Sequence, residues 1–112
     1  MALASRGFET TVYSREAAPN AKATLVEAIG ARYVSAEDVA VEELPRLVGR
    51  VDLVYEATGA SAAAFRMMQA LGTNGVFVFT GVPGRRGPVE VDTDALMRNL
   101  VLRNQVVFGT VN

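Results

Sequence analysis

Three apolar runs decide the fold: residues 51–59 (VDLVYEATG), 75–81 (GVFVFTG) and 105–112 (QVVFGTVN). They lack the alternation of half-exposed strands, which is typical of strands buried on both faces of a parallel sheet. Each run closes on small polar residues, and ligands of open α/β sheets bind at the carboxyl ends of the strands. We therefore expect a functional site where these three runs end.

The composition limits the class of protein. The chain has 112 residues, of which half are hydrophobic, and its net charge is −1. These values predict one folded domain and give no basic surface for nucleic acid. The chain contains neither His nor Cys, which excludes disulfides, thiol nucleophiles and the usual zinc ligands within it. We expect no chemistry from this chain alone, and partners that are small molecules or protein.

Nothing in the sequence indicates a membrane or secreted protein. No apolar stretch approaches the ~20 residues of a membrane-spanning helix. The first residues also lack the basic and then apolar plan of a signal peptide. We expect a soluble cytoplasmic protein with no membrane partner.

Apolar runs alternate with helical patterns along the chain. Strands are predicted at residues 9–14, 31–34, 51–57, 76–80 and 105–111. Residues 1–6 are predicted to form the last turns of a helix. Further helices are predicted at residues 21–29, 62–71 and 94–102. An acidic stretch at 37–43 includes a turn or short helix interrupted by Pro45. Such alternation builds a parallel sheet with helices on both faces, so we predict an α/β fold.

Side-chain spacing predicts the local details of these helices. The buried face of helix 21–29 is expected to hold Ala21, Leu25, Val26 and Ile29. Lys22 is expected to turn away from that face. Ser61 and Thr93 are expected to cap the two later helices, and Gly72 to end the first of these two.

Several blocks, in their order along the chain, resemble one family. They are VDLVYEATGA at 51–60, NGVFVFTGVPG at 74–84, LVLRNQVVFGTVN at 100–112, YSREAAP at 13–19 and GARYV at 30–34. The whole chain is similar to the glucose 1-dehydrogenase branch of the zinc-dependent medium-chain alcohol dehydrogenases. The resemblance implies an oxidoreductase that transfers hydride from an aldose or alcohol to NADP or NAD. Zinc would belong to a separate catalytic domain of the intact enzyme.

The resemblance implies an incomplete cofactor-binding domain. The glycine-rich fingerprint and the strand before it do not occur in the chain, and in the doubly wound order 3-2-1-4-5-6 that strand is central. Residues 1–112 are therefore expected to form a truncated NAD(P)-binding Rossmann domain that lacks the first, central strand. We expect its sheet to be completed by rearrangement, by a swapped partner, or not at all.

Loss of a central strand predicts an unstable monomer. Two ladders of about five hydrogen bonds each, at ~0.5–1.5 kcal/mol per bond, rival the ~5–15 kcal/mol that stabilises a domain. Direct pairing of residues 10–13 with residues 51–56 would contradict this expectation.

The resemblance places the adenosine end of the cofactor after the first strand of the chain. There, the hydroxyl of Ser14 and the guanidinium of Arg15 suit the 2′-phosphate of NADP. Glu16 stands where some relatives have a second basic residue, so use of NAD stays open. The alternative is that Arg15 is a solvated surface charge.

The resemblance places the nicotinamide end at the three strand ends that decide the fold. The implied cofactor-binding residues are Thr58, Gly59, Ala60, Thr80, Gly81, Val82 and Asn112. Gly59 has an alternative explanation, since a strand-to-helix turn can need glycine for its own dihedral angles. Asn112 can equally be a frayed polar terminal residue. No catalytic or metal-binding residue is expected in the chain.

Two further hypotheses concern partners. The apolar run that begins at Gln105 and ends at Val111 suits pairing at a sheet edge, so a homodimer is expected. The rival function is a non-catalytic α/β association module that binds no nucleotide. A different α/β cofactor binder, such as a methyltransferase, explains fewer of the sequence blocks.

Overall fold

The computed structural model describes residues 2–111, which divide after Glu43 into two compact units. Within residues 2–111, five strands run parallel to their neighbours and form one sheet of two strands and one of three. The predicted α/β class is confirmed. None of the helices in this part of the chain is long and apolar enough to cross a membrane.

The first unit is a short strand–helix–strand motif. Its elements are α1 (Ala2–Ser5), β1 (Thr11–Ser14), α2 (Ala21–Ala28), β2 (Arg32–Ser35) and a 3₁₀ turn at Val41–Glu43. The β1 and β2 strands pair in register from Thr11 opposite Arg32 to Ser14 opposite Ser35. The side chain of Asn20 caps α2 by accepting a hydrogen bond from the Ala23 amide at 2.8 Å.

The predicted buried face of α2 is wrong in part. Ala23 and Val26 are buried, whereas Leu25 is 55% exposed and Ile29 is also exposed. A two-stranded sheet covers only a narrow stripe of a helix, and the small Ala23 side chain permits close approach there. The contact stripe therefore follows Ala23 and Val26 rather than the larger apolar residues.

The second unit is a three-stranded parallel sheet with its helices. Its elements are α3 (Leu44–Val48), β3 (Val51–Glu56), α4 (Ser61–Met67), a 3₁₀ turn at Met68–Ala70, β4 (Leu71–Phe79), α5 (Thr93–Leu102) and β5 (Val106–Gly109). The strand order is β3-β4-β5. The last strand is thus shorter than the predicted residues 105–111. A core of Met68, Leu71 and Phe77 holds the unit together, and Phe77 is fully buried.

A bulge in β4 interrupts its pairing with β3 just before Val76. Val51 lies opposite Leu71, but Leu53 lies opposite Val76, so β4 carries extra residues between the paired positions. Asn74 takes the left-handed conformation there, at φ 61°. Gly72 consequently lies inside β4 instead of ending α4, because the helix has already passed into the 3₁₀ turn.

Both predicted serine and threonine caps are wrong by one position. Ser61 is the first residue of α4, preceded by Ala60 at the cap position with no side-chain hydrogen bond. Asp92, and not Thr93, caps α5 by accepting from the Ala95 amide at 3.0 Å. A carboxylate is well suited to the partial positive charge of a helix N-terminus, which explains the choice of Asp92.

Pro45 does not interrupt a helix. It is the second residue of α3, where the missing amide hydrogen has no helical acceptor in any case. The acidic stretch before it ends in the 3₁₀ turn rather than continuing as a helix.

Strand pairing agrees with the expectation of an incomplete sheet. Among residues 2–111, β1 pairs only with β2, and β3 pairs only with β4.

Candidate functional site

The carboxyl ends of β3 and β4 are locked together by the backbone carbonyl of Glu56. It accepts hydrogen bonds from the Thr80 amide at 2.9 Å, the Thr80 hydroxyl at 2.8 Å and the Gly81 amide at 3.2 Å. Thr110, just after β5, donates its amide to the Phe79 carbonyl at 3.0 Å. The ends of all three strands are thereby joined at one edge of the sheet.

The Glu56 side chain organises the turn after β3. One carboxylate oxygen, Oε1, accepts from the Thr58 amide at 2.7 Å, the Thr58 hydroxyl at 2.6 Å and the Gly59 amide at 2.9 Å. The Thr58 hydroxyl also accepts from the Ala60 amide at 3.0 Å. The turn at residues 58–60 is therefore built around a carboxylate.

Glu56 is a buried charged residue, with 9% of its surface exposed. Burial raises the pKa of its carboxyl group. Hydrogen bonds from Thr58 and from the Gly59 and Gly81 amides lower it by more, so the pKa lies below its usual value of 4.5. The side chain is consequently ionised at neutral pH.

Gly59 and Gly81 allow the two strand-end turns to touch through their backbones. Gly59 has φ +75°, and a β-carbon there would lie 2.5 Å from the Val82 carbonyl oxygen. A β-carbon on Gly81 would overlap the Gly59 amide nitrogen and lie 2.7 Å from Oε2 of Glu56. No larger residue fits either position without displacing the other turn.

These contacts bring together six of the predicted site residues into one surface, which we call the rim. It consists of Thr58, Gly59, Ala60, Thr80, Gly81 and Val82. The alternative explanation for Gly59 has support, because its positive φ is a requirement of the turn itself. Val82 is 85% exposed, so the rim is open to solvent. Asn112, the seventh residue predicted at the nicotinamide end, lies outside the described residues.

An apolar groove of about 100 Å³ borders the rim. Its lining residues include Ala64, Phe65, Phe79 and Pro83, together with Glu56 and the rim glycines. The rings of Phe65 and Phe79 pack with their centroids 5.7 Å apart. An apolar wall beside polar backbone groups is the usual lining of a small-molecule site.

The predicted adenosine-end residues lie in the first unit, at the end of β1. Ser14 is the last residue of that strand, and Arg15 follows it as an exposed side chain. The Lys22 ammonium donates to the Ser14 hydroxyl at 3.2 Å and forms an ion pair of 3.5 Å with Glu16. The Tyr33 hydroxyl holds the backbone of Glu16 by donating to its carbonyl at 2.7 Å.

Sequence reasoning missed Glu56 and Lys22. A carboxylate at the end of an otherwise apolar run, directly before a Thr-Gly turn, was the available signal for Glu56, because buried charges need partners. The signal for Lys22 was its place in the first turn of α2, because a cation is disfavoured there by the helix dipole.

No cluster of three or more His, Cys, Asp or Glu that could hold a metal ion occurs among residues 2–111.

Parallel strands joined by helices, with glycine turns at their carboxyl ends, define a Rossmann-like α/β domain. A family model described as glucose dehydrogenase C-terminus matches residues 1–112, and the chain belongs to that family. The resemblance to the glucose 1-dehydrogenase branch of the zinc-dependent medium-chain dehydrogenases is thus confirmed.

Curated relatives of this chain include proteins called glucose 1-dehydrogenase. The one from Halobacterium salinarum is 38% identical over 112 residues, which cover 98% of this chain and 32% of the relative. The one from Methanocella arvoryzae is 32% identical over 106 residues, covering 95% of this chain and 30% of the relative. The chain therefore spans less than a third of the length of these relatives.

Two solved structures show the same fold. The Haloferax mediterranei glucose dehydrogenase in complex with NADP, Zn and gluconolactone is 35% identical, with a TM-score of 0.85, covering 96% of this chain and 30% of that one. An alcohol dehydrogenase from Thermotoga maritima is 30% identical, with a TM-score of 0.73, covering 94% of this chain and 29% of that one. The chain therefore has the fold of the C-terminal Rossmann-like domain of glucose dehydrogenases.

Proposed function

We propose that this chain binds NADP or NAD as part of a glucose 1-dehydrogenase-type oxidoreductase that transfers hydride from an aldose or alcohol to the cofactor. The observation that carries the proposal is the rim, in which Gly59 and Gly81 bring two strand-end turns into backbone contact. Ligands of this fold class bind at that edge of the sheet. The NADP complex of the Haloferax relative supports the choice of cofactor.

The rim would meet the nicotinamide end of the cofactor. The Thr58 and Thr80 hydroxyls donate their protons to Glu56, and their oxygens can still accept hydrogen bonds from a carboxamide and a ribose. The neighbouring Phe65 and Phe79 offer an apolar wall to the ring. Asn112 is proposed as a further contact at this end. The support for it is sequence resemblance alone.

Ser14, Arg15 and Lys22 would meet the adenosine end. The 2′-phosphate of NADP suits a hydroxyl and two cations, and Lys22 already contacts the Ser14 hydroxyl. Glu16 competes with the phosphate for the Lys22 ammonium, because the two form an ion pair. We therefore propose that the chain prefers NADP, that Glu16 weakens this preference, and that NAD also binds.

The rest of the enzyme would come from outside this chain. We propose that residues 1–112 are a truncated NAD(P)-binding domain, and that zinc and the sugar-binding groups belong to another domain. In the doubly wound order, the first strand pairs on both sides. Among the described residues, β1 and β3 each pair with a single strand, so each keeps an edge for such a neighbour.

We also propose a homo-oligomer formed through the edge of β5. Among the described residues, β5 pairs only with β4. Its residues Val106 and Phe108 are 54% and 46% exposed, so the strand presents apolar surface beside its open edge. A second copy of the strand would cover both the open edge and these side chains.

Titration calorimetry of the chain with NADP and with NAD tests the proposed function. We expect both cofactors to bind, NADP more tightly. Dissociation constants weaker than about 1 mM for both, equivalent to less than ~4.1 kcal/mol of binding, would contradict the proposal. That result would favour the non-catalytic association module.

A further inference from the structure

Glu56 is a buried charge that the proposed cofactor contacts do not use. About nine-tenths of its surface is buried, at the carboxyl end of β3. A buried charge is expensive unless it is paired or hydrogen-bonded, and an uncharged acceptor could hold a turn at a lower desolvation cost. The presence of a full negative charge under the rim therefore needs an explanation.

The carboxylate lies against both turns of the rim. Oε1 accepts from Thr58 and Gly59 after β3. Oε2 lies where a β-carbon on Gly81 would come within 2.7 Å of it, after β4. The negative charge therefore lies next to the backbone of the surface that the proposed function assigns to the nicotinamide.

The two redox forms of the cofactor differ in charge at that end. The oxidised nicotinamide ring carries a positive charge, and the reduced ring is neutral. A fixed negative charge at short range in a partly buried site favours the cationic ring, because the surrounding protein screens the attraction less than bulk water does.

We propose that Glu56 makes the rim prefer the oxidised cofactor over the reduced one, and that it positions both turns while doing so. This inference rests on the proposed function. In an enzyme that accepts hydride onto the cofactor, the same charge promotes release of the reduced product, because attraction to the ring disappears once the ring is neutral.

The test is a pair of dissociation constants for the chain, one for NADP⁺ and one for NADPH, measured by calorimetry near neutral pH. In the unaltered chain we expect NADP⁺ to bind more tightly. Glu56→Gln keeps the size of the side chain and an acceptor oxygen but removes the charge. We expect it to reduce the preference for NADP⁺ by about three-fold or more.

Two control variants separate charge from structure. Thr58→Val removes the 2.6 Å hydroxyl hydrogen bond and keeps the carboxylate, so both dissociation constants should rise together and their ratio should stay unchanged. Glu90→Gln removes an equal charge from an exposed position of the same unit and should change neither constant.

Each outcome decides a different claim. If Glu56→Gln weakens both forms equally, Glu56 is structural only and the inference is wrong, while the proposed function stands. If the unaltered chain binds neither form, the proposed function fails and the inference falls with it.

A second variant covers the case in which Glu56→Gln does not fold, as judged by circular dichroism. Val82 is an exposed residue of the rim, so Val82→Lys adds a cation without disturbing the core. It should reduce the preference for NADP⁺ with Glu56 in place. An unchanged ratio would show that the ring does not sense charge at the rim and would overturn the inference.

Discussion

Gly59 and Gly81 lie so close that a β-carbon on Gly81 would overlap the Gly59 amide nitrogen. Gly59 lies in the turn after β3 and Gly81 in the turn after β4, and both turns belong to the rim. Because their contact is between backbones, the spacing of the two turns does not depend on a side-chain rotamer. The spacing of the two turns is therefore set by close backbone contact.

The first prediction concerns this contact. Gly81→Ala should destabilise the chain by about 1–3 kcal/mol, because the methyl group meets backbone and a buried carboxylate that cannot move aside. Urea unfolding followed by circular dichroism measures the change. Gly84→Ala is the matched control: a β-carbon there meets nothing within 4 Å, and its effect should stay within about 0.5 kcal/mol. Equal stability of the two variants would refute the close packing.

The second prediction is a dependence of stability on acid. The pKa of Glu56 is lower in the folded chain than its usual value of 4.5, so the unfolded chain binds the proton more readily. The contribution of Glu56 to stability is therefore complete above that usual value and is lost as pH falls through the lower, folded pKa. Thermal unfolding between about pH 6 and about pH 3 should show this loss.

Variants assign the acid dependence to Glu56. Glu56→Gln should be less stable than the unaltered chain near neutral pH, and the difference between the two should shrink on acidification. The exposed Glu90→Gln should keep the acid dependence of the unaltered chain. A constant difference between Glu56→Gln and the unaltered chain over this range would contradict the assignment.

The third prediction concerns Lys22. Adenosine 2′,5′-bisphosphate carries the 2′-phosphate without the nicotinamide half, so it probes the adenosine end alone. Lys22→Met should weaken its binding about three- to ten-fold, since a charge-assisted hydrogen bond of roughly 1 kcal/mol is lost. Binding of 5′-AMP, which has no 2′-phosphate, should not change.

Glu16 supplies the opposite test of the same site. Glu16→Gln removes the competitor of the phosphate for Lys22 and should strengthen binding of the bisphosphate. Lys22→Arg keeps the charge and should retain most of the affinity. If Lys22→Met weakens 5′-AMP to the same degree as the bisphosphate, Lys22 supports the fold and does not select the phosphate.

The fourth prediction concerns self-association. Phe108→Glu places a charge on the open edge strand and should shift the chain toward the monomer in sedimentation velocity. Met97→Glu, on the exposed surface of α5, is the control for an added charge and should leave the oligomeric state as it was. A monomeric unaltered chain would contradict the proposed oligomer.

The strands were predictable because each is a short apolar run between turn residues, and a buried parallel sheet requires such runs. The helix caps were not predictable in the same way, since Asp92 and Thr93 are both good cap residues in adjacent positions. Only the fold decides which amide each side chain reaches. Sequence alone also placed Lys22 on the outer surface of its helix. It did not show that the Lys22 side chain contacts the Ser14 hydroxyl at the end of β1.

The candidate site was predictable where it depends on small residues. Gly59 and Gly81 mark the turns in the sequence itself, whereas the role of Glu56 depends on three donors that converge on one oxygen. These donors lie two and three residues after Glu56, so the convergence depends on the backbone conformation of the turn, which a pattern of residue types does not specify.

The pairing between β3 and β4 is irregular where the strands begin and regular where they end. Pairing resumes at Leu53 opposite Val76 and continues without interruption to Glu56 opposite Phe79. Extra length at residues 72–74 is therefore taken up at the far end of the strands, where Asn74 bonds to Arg103 and Asn104. Insertions or deletions in that segment can accumulate in evolution while the geometry of the rim is inherited unchanged.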